Sequence, residues 1–142
     1  MTITPYLSFE GRCEEAINFY KQTLGAEVEM LMRFKDSPEQ PSAEVCAGGE
    51  AKFGPNNVMH AALRIGTSTL FCTDGETKGK PNFEGIALSL ALPNPAATQK
   101  AFDALAQGGK VMMPLTKTFF AAAFGMVVDP FGVTWMLIAE NA

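Results

Sequence analysis

Hydrophobic and polar residues recur at regular intervals along most of this chain, and the intervals predict two helices and several strands. Apolar positions three, four and seven residues apart predict an amphipathic helix over residues 12–24. Asn94 and Pro95 suit the N-cap and first turn of a second helix over 95–107. Short runs rich in β-branched, aromatic or alternating apolar residues predict strands. These runs are 2–9, 26–34, 58–65, 69–73, 83–92 and 110–120.

The chain closes with its clearest local signal, a predicted β-hairpin over residues 124–139. Two apolar runs of about six residues flank the sequence Asp129-Pro130-Phe131-Gly132. Proline pre-sets φ for a turn, aspartate can accept a hydrogen bond from the backbone two residues on, and glycine tolerates positive φ. We therefore interpret Asp129 as a turn residue and expect an antiparallel strand pair around it.

The predicted elements form the order β-α-β-β-β twice, separated by a polar linker at 74–82. Residues 19–30 align with 102–113 at an offset of 83, and this pairs Val28 with Val111 and Met30 with Met113. The pattern predicts an α+β fold of two βαβββ modules, about 1–75 and 83–142, in one domain spanning 1–142. Their sheets would form a curved mixed-sheet cup, with a helix on the outer face of each module.

Composition excludes several classes of partner. The net charge is −4, so the chain lacks the positive surface expected for binding nucleic acid or an anionic membrane. No signal peptide and no apolar run of about 20 residues are visible. The three cysteines, Cys13, Cys46 and Cys72, form no CxxC pair, which is typical of a reducing compartment. We expect a cytoplasmic protein.

Residues 35–57 interrupt the periodic pattern with six glycine and proline residues and predict a long surface loop. Such a loop could be a lid over a pocket or an arm that contacts a partner. It could also be an ordinary mobile insertion.

Three stretches of this sequence resemble a known superfamily. They are PYLSFEGRCEEAINFY with the following LGAE, the central HAALRIG, and the closing FGMVVDPFGVTWML. The chain thereby resembles the vicinal oxygen chelate superfamily of glyoxalase I, bleomycin-resistance proteins and extradiol dioxygenases. More narrowly it is similar to the PhnB-like branch, some members of which carry the label 3-demethylubiquinone methyltransferase-like. The resemblance implies paired βαβββ modules, usually dimeric, with a small-molecule or metal site in the cup.

The resemblance also implies where metal ligands would lie, because the superfamily's metal enzymes use four inward-facing His and Glu residues. Three of the matching positions hold Pro5, Gly85 and Met136. The fourth ligand would come from residues 69–73, which contain no Glu, Asp or His. We therefore expect no metal and no other cofactor, unless a divalent metal binds at an unusual place.

Alternation along the strands predicts which side chains line the cup. The lining would be apolar with a few polar points, which suits a small organic ligand carrying an anionic group. The predicted ligand-binding residues are His60, Arg64, Ser89, Phe119, Phe120, Thr134 and Met136. Matching Pro5 to a ligand position also places Leu7 and Phe9 inside the cup. We interpret the eight methionines as core filler.

Two polar residues on one strand are the strongest candidates for chemistry. His60 is the only histidine. It could act as a general base, bind a ligand, or simply be a strand residue that forms hydrogen bonds with a neighbour or solvent. Arg64 could bind an anionic group, or it could form an ion pair with Asp74 or a glutamate.

Two further residues have a structural and a functional interpretation. Asp74 fits a turn, although it could pair with Lys78 or Lys80 or contact a ligand. Cys72 fits a small buried apolar residue better than a nucleophile, because no Cys–His spacing supports catalysis.

These observations predict a PhnB-like protein, homodimeric by resemblance, that binds a small anionic or partly apolar organic ligand. Whether it is an enzyme stays open: a lyase, isomerase or dioxygenase would use His60 and Arg64. A protein-interaction module acting through the 35–57 loop is a third hypothesis. Phosphate-binding glycine motifs and a G-x-S-x-G motif are absent, and GRCEEA is not the glycine-rich turn that S-adenosylmethionine requires.

Overall fold

The computed structural model describes residues 1–37, 54–75 and 81–140. The chain divides into two compact units, Met1–Pro81 and Asn82–Ala142. Most of the predicted 35–57 loop, together with Cys46, Lys78 and Lys80, lies outside the described residues. No helix within those ranges has the length and hydropathy needed to span a membrane.

The described residues of unit 1 form one α-helix and a four-stranded mixed sheet. Its elements are β1 (Tyr6–Ser8), α1 (Cys13–Leu24), β2 (Glu27–Arg33), a short 3₁₀ helix (Phe34–Asp36), β3 (Val58–Ile65) and β4 (Ser68–Thr73). The strand order is β1-β4-β3-β2, with β1 parallel to β4 and the other pairs antiparallel. The α-helix ends at Gly25, whose φ of 67° is the left-handed conformation that glycine adopts readily.

Unit 2 repeats this arrangement. Its elements are β5 (Leu88–Leu92), α2 (Pro95–Ala106), β6 (Lys110–Thr116), β7 (Ala121–Val128) and β8 (Thr134–Glu140). The strand order is β5-β8-β7-β6, again with one parallel pair. Asn94 caps α2 as expected, because its side chain accepts a hydrogen bond from the Ala97 N–H at 2.7 Å. The predicted α+β class with two βαβββ modules is confirmed.

Each sheet buries one face against its own helix. In unit 1 the buried face includes Leu7, Ala61, Leu63 and Cys72. In unit 2 it includes Val127, Trp135 and Leu137, and Gly125 belongs to the same face. A Cβ added at Gly125 would lie 3.0 Å from Cε2 of Phe102 on α2, so the helix packs where this glycine has no side chain. We call the opposite side of each sheet its open face.

The closing hairpin forms as predicted, and its turn is more firmly held than the sequence suggested. Asp129 is 2% exposed, and its Oδ1 accepts hydrogen bonds from the backbone of Phe131 and Val133. Its Oδ2 accepts a third bond from the indole Nε1 of Trp135 at 2.9 Å. One carboxylate therefore holds both the turn and the largest side chain of β8.

Three predicted strands are clearly shorter than expected. The run 2–9 forms a strand only over Tyr6–Ser8. The run 83–92 forms a strand only over Leu88–Leu92, because Gly85 has φ of +83° and lies outside the sheet. Ile86, within the predicted run, is 59% exposed. The run 110–120 ends as a strand at Thr116, and β6 lies at the sheet edge, where its Pro114 is tolerated.

The first strand corrects one prediction about faces. Leu7 and Phe9 were expected to line the cup, but they are 2% and 0% exposed and belong to the helix-facing core. The ring of Phe9 lies 6.3 Å from that of Tyr20 on α1. Because side chains alternate along a strand, Tyr6 then belongs to the open face. Anchoring the alternation on Pro5 assigned β1 to the wrong side.

Candidate functional site

The open face of unit 1 carries a cluster of three rings, which we call the Tyr6–His60–Phe71 cluster. Tyr6 stacks on His60 with ring centroids 5.6 Å apart and planes inclined by 25°. Phe71 approaches His60 to 4.9 Å between ring centroids. Phe71 is paired in register with both Tyr6 and Ala62, so these side chains share one face. The sequence predicted the direction of His60 but missed Tyr6 as its neighbour.

Arg64 lies on the same face of β3 as His60, four residues further along the strand. Its guanidinium forms an ion pair with Glu27, its cross-strand partner on β2. Of the alternatives for Arg64, the structure therefore has the pair with a glutamate rather than with Asp74. Both side chains are largely exposed, and pairs of this kind contribute little to stability, so an incoming anion can replace Glu27 at low cost.

The open face of unit 2 carries three of the other predicted site residues. Ser89 of β5 is in register with Met136 of β8, and Thr134 belongs to the same face of β8. Phe119 and Phe120 precede β7 and are 95% and 46% exposed. Phe120 contacts Phe124 edge to face at 5.2 Å, and Phe124 is in register with Ile138. The two aromatics thus extend the open face of this unit at one end.

Methionine side chains form a row across that same face. Met113 of β6 is in register with Met126 of β7, which is in register with Met136 of β8. No methionine within the described ranges is among the buried core residues, and Met30, Met112 and Met113 are each more than 40% exposed. The interpretation of the methionines as core filler is therefore wrong for these residues.

A β-bulge places Met113 in the row. Val111 opposes Val127 and Met113 opposes Met126, so Met112 is an extra residue between them. In a regular strand without a bulge, Met113 would share the helix-facing side with Val111, because the two are two residues apart. Unit 1 has the same bulge, since Val28 opposes Leu63, Met30 opposes Ala62 and Glu29 is the extra residue. The equivalent row there consists of Met30, Ala62, Phe71 and Tyr6.

Asp74 has a structural role that the sequence did not reveal. Its side chain bonds to distant parts of unit 1. It is 1% exposed and accepts bonds from the backbone N–H of Cys13 and of Val58, both at 2.8 Å. The amide of Asn57 donates a third bond at 3.1 Å. Asp74 thus connects the start of α1 to the start of β3.

A polar cavity of about 370 Å³ lies beside this carboxylate in unit 1. Its lining consists of Gly11, Glu14, Glu15, Asn18, Asn56, Asn57 and Asp74. Glu14 is engaged by Arg33, and the resulting hydrogen bond raises the pKa of the Arg33 guanidinium. None of the predicted ligand-binding residues lines this cavity, so it is not part of the predicted site.

Comparison with known proteins identifies the family. A model of the glyoxalase/bleomycin resistance protein/dioxygenase superfamily matches residues 2–137. This chain belongs to that superfamily. Among curated superfamily relatives, protein YjdN of Escherichia coli (strain K12) is 40% identical over 139 residues, which cover 96% of this chain and 94% of the relative.

Two solved structures of similar proteins resemble the whole chain. Protein PA1353 from Pseudomonas aeruginosa has 38% sequence identity and a TM-score of 0.82, and the match covers 100% of this chain and 99% of the other. A putative 3-demethylubiquinone-9 3-methyltransferase, PhnB protein, from Bacillus cereus has 26% identity, with a TM-score of 0.77 and coverage of 99% and 100%. The predicted membership of the superfamily and its PhnB-like branch is confirmed.

The residues present do not fit the divalent-metal site of superfamily enzymes. At the positions that the resemblance matches to a Glu and a His ligand, Met136 has a thioether and Gly85 has no side chain, and the open face of β1 carries Tyr6 rather than Pro5. Within residues 1–37, 54–75 and 81–140, no three His, Cys, Asp or Glu side chains gather closely enough to hold a metal ion.

Two of the three cysteines of this superfamily member lie within the described residues, and both belong to the core. Cys13 and Cys72 are both fully buried. The pKa of the Cys13 thiol is raised far above its usual range, mainly by a hydrogen bond with Cys72 and to a smaller extent by burial. A raised thiol pKa leaves little thiolate at neutral pH, and the thiolate is the reactive form. This geometry supports the interpretation of Cys72 as a buried apolar residue.

We expect Cys13 and Cys72 to resist iodoacetamide at neutral pH in the folded protein and to react fully once the chain is unfolded in guanidinium chloride, because only unfolding exposes them. Peptide mass spectrometry after timed quenching measures each cysteine separately. Modification of Cys72 in the folded protein at the rate of free cysteine would contradict its burial and reopen the nucleophile interpretation.

Proposed function

We propose that this protein binds a small organic molecule, anionic or partly apolar, on the open faces of its sheets without the superfamily's divalent-metal site. The observation that carries the proposal is the Tyr6–His60–Phe71 cluster. It places the only histidine of the chain beside two aromatic rings, on the face of the sheet opposite α1. Tyr6 is 55% exposed, so an aromatic surface is available there.

The cluster offers two kinds of contact to a ligand. The rings of Tyr6 and Phe71 supply apolar and π surface, which favours a planar or hydrophobic group. The imidazole of His60 can donate or accept a hydrogen bond and can carry charge near neutral pH. Arg64 on the same face offers a guanidinium fork to a carboxylate, phosphate or enolate once Glu27 is replaced.

The open face of unit 2, considered by itself, carries the other residues of the proposal. Ser89 and Thr134 offer hydroxyl groups, and Met136 offers a flexible apolar side chain beside them. Phe119 and Phe120 supply exposed aromatic surface at the end of the same face. This combination of apolar lining and few polar points is typical of small-molecule sites.

Assembly and location belong to the same proposal. A homodimer is supported by the superfamily resemblance, and a cytoplasmic location by the cysteine pattern of the sequence. The methyltransferase activity in the name of the Bacillus protein is not part of the proposal, because GRCEEA lacks the required glycine-rich turn.

The test is a thermal-shift screen of carboxylates, phosphates, aromatic acids and the divalent ions Mn²⁺, Ni²⁺ and Zn²⁺. We expect an organic anion to raise the midpoint of the wild type, since a ligand at about 100 times its Kd stabilises by about 2.7 kcal/mol. His60→Phe keeps an aromatic ring in the cluster but removes both nitrogens. The rise should therefore fall by at least half in this variant, measured from its own unliganded midpoint.

Lys100→Ala, on the exposed side of α2, is the matched control and should keep the full rise. An equal rise in wild type and His60→Phe would show that the ligand binds elsewhere. A rise produced by a divalent ion and lost in His60→Phe would overturn the metal-free part of the proposal and favour the enzyme alternative that uses His60 and Arg64.

A further inference from the structure

Three methionines lie in register on adjacent strands of unit 2, and the proposed organic ligand site uses only one of them, Met136. Met113, Met126 and Met136 are consecutive partners across β6, β7 and β8. Directly opposed residues in antiparallel strands project to the same face, so the three thioethers share the open face of this unit. Met113 is 43% exposed, which leaves the row accessible from solvent.

The spacing of the row permits the three sulfurs to converge. Neighbouring strands lie about 4.8 Å apart, so the outer two methionines begin about 10 Å from each other with Met126 between them. Methionine is unbranched, with three rotatable side-chain bonds, and it adapts to irregular surroundings. Met113 and Met136 can therefore lean toward Met126 without any movement of the backbone.

Two features show that the row depends on the local backbone. The bulge at Met112 turns Met113 away from the helix-facing side. The equivalent bulge in unit 1 turns Met30 to the open face, but its row continues with Ala62 and Phe71. In the described part of the chain, the row of unit 2 thus contains three thioethers, and the equivalent row of unit 1 contains one.

The chemistry of the donors determines which ion such a row would take. Thioether sulfur is neutral, soft and polarisable, and it selects Cu(I) over hard or borderline divalent ions. The fourth residue of the row is Ser89, so the row contains no carboxylate to attract Mg²⁺, Mn²⁺ or Zn²⁺. A monovalent soft cation is therefore the ligand class that matches this arrangement.

We propose that Met113, Met126 and Met136 form a three-thioether site for a soft monovalent cation, Cu(I) or its redox-stable analogue Ag(I). The site lies within unit 2 and does not depend on the organic ligand of the proposed function. It also gives Met136, which occupies the position of a superfamily metal ligand, a different coordination chemistry.

The experiment follows the methionine methyl groups directly by NMR, using protein labelled with ¹³C at the eight methionine ε-methyls. Ag⁺ is the probe, because it needs no reductant. The titration uses the Cys46→Ser variant, since Cys46 lies outside the described residues, while Cys13 and Cys72 are buried in the core. We expect the Met113, Met126 and Met136 methyl signals to shift together and to saturate at one Ag⁺ per chain.

Met126→Leu removes the central sulfur and nearly conserves volume, so the fold is retained. In this variant the shifts of Met113 and Met136 at one equivalent should disappear, and the apparent affinity should fall at least tenfold. Met30→Leu, at the equivalent position of unit 1, is the matched control and should leave the titration unchanged.

Two outcomes would overturn the site. The first is a set of shifts at Met30 as large as those at Met113, which would indicate general contact with exposed thioethers. The second is an affinity that is unchanged in Met126→Leu, or a titration that moves no methionine signal. The titration reads the methyl signals of unit 2, whereas the thermal-shift test depends on His60 of unit 1. A negative titration therefore leaves the His60-dependent thermal shift unaffected, and a negative thermal-shift result leaves the titration unaffected.

Discussion

Replacing Asp129 by alanine is expected to lower the free energy of unfolding by about 4 kcal/mol, an unusually large effect for one substitution. The carboxylate accepts hydrogen bonds from Phe131 N, Val133 N and Trp135 Nε1. All three donors belong to buried residues, so water cannot easily replace the lost acceptor. A buried donor left without a partner costs about 1–3 kcal/mol, and three of them do not add fully.

Urea denaturation followed by Trp135 fluorescence measures this effect, because the indole is itself one of the bonded groups. Asp103→Ala is the matched control: Asp103 is exposed on α2 and accepts a bond from the Gln99 side chain one turn away. Its removal should change stability by less than about 0.5 kcal/mol. A loss below about 1 kcal/mol in Asp129→Ala would mean that the turn is held mainly by its backbone bonds.

Replacing Gly109 by alanine is expected to cost about 3 kcal/mol, for a different reason. A Cβ at this position would lie far inside contact distance of the carbonyl oxygen of Val128 and 3.1 Å from the Cα of Asp129. The obstacle is backbone rather than the end of a flexible side chain. The start of β6 would have to move away from the end of β7, where their pairing begins at Lys110.

Gly54→Ala is the control for this substitution, since among the described residues its Cβ would meet the Asn57 Oδ1 at an ordinary 3.6 Å. The midpoint and slope of urea denaturation should be unchanged in the control and the midpoint clearly lowered in Gly109→Ala. A neutral result at Gly109 would show that the β6–β7 pairing shifts at little cost.

The parts of the fold that the sequence predicted well are those specified by neighbouring residues. The helix before Gly25, the Asn94 cap and the Asp129 turn each depend on interactions between residues close in sequence. The alternation in β8 was also correct, because buried and half-buried residues follow each other strictly from Thr134 to Ala139. Periodicity reports such local features directly.

The features that the sequence did not predict depend on distant residues. Asp74 bonds to Cys13, 61 residues away, and nothing in the local CTDG segment indicates this partner. The face of Leu7 and Phe9 depends on β1 pairing with β4, which no local pattern fixes in so short a strand. The Tyr6 contact with His60 was missed for the same reason.

The methionine row shows how one extra residue in a strand makes a prediction of its faces from alternation wrong. Treating β6 as a regular strand places Val111 and Met113 on one face, whereas the bulge puts them on opposite faces. The sequence repeat did align Met30 with Met113. That alignment indicated that the two strands are equivalent, and both strands contain the bulge.

The repeated bulge has a consequence for how the two halves of the chain can diverge. The extra residue is Glu29 in one half and Met112 in the other, so the backbone irregularity does not require a particular side chain. Exchanging thioethers for aromatic rings along a row therefore needs only point substitutions. Moving a row to the other side of its sheet would instead require an insertion or deletion, which shifts every later side chain of that strand. The same backbone arrangement can thus carry different side chains on the open faces of the two units, while each unit keeps its hydrophobic core.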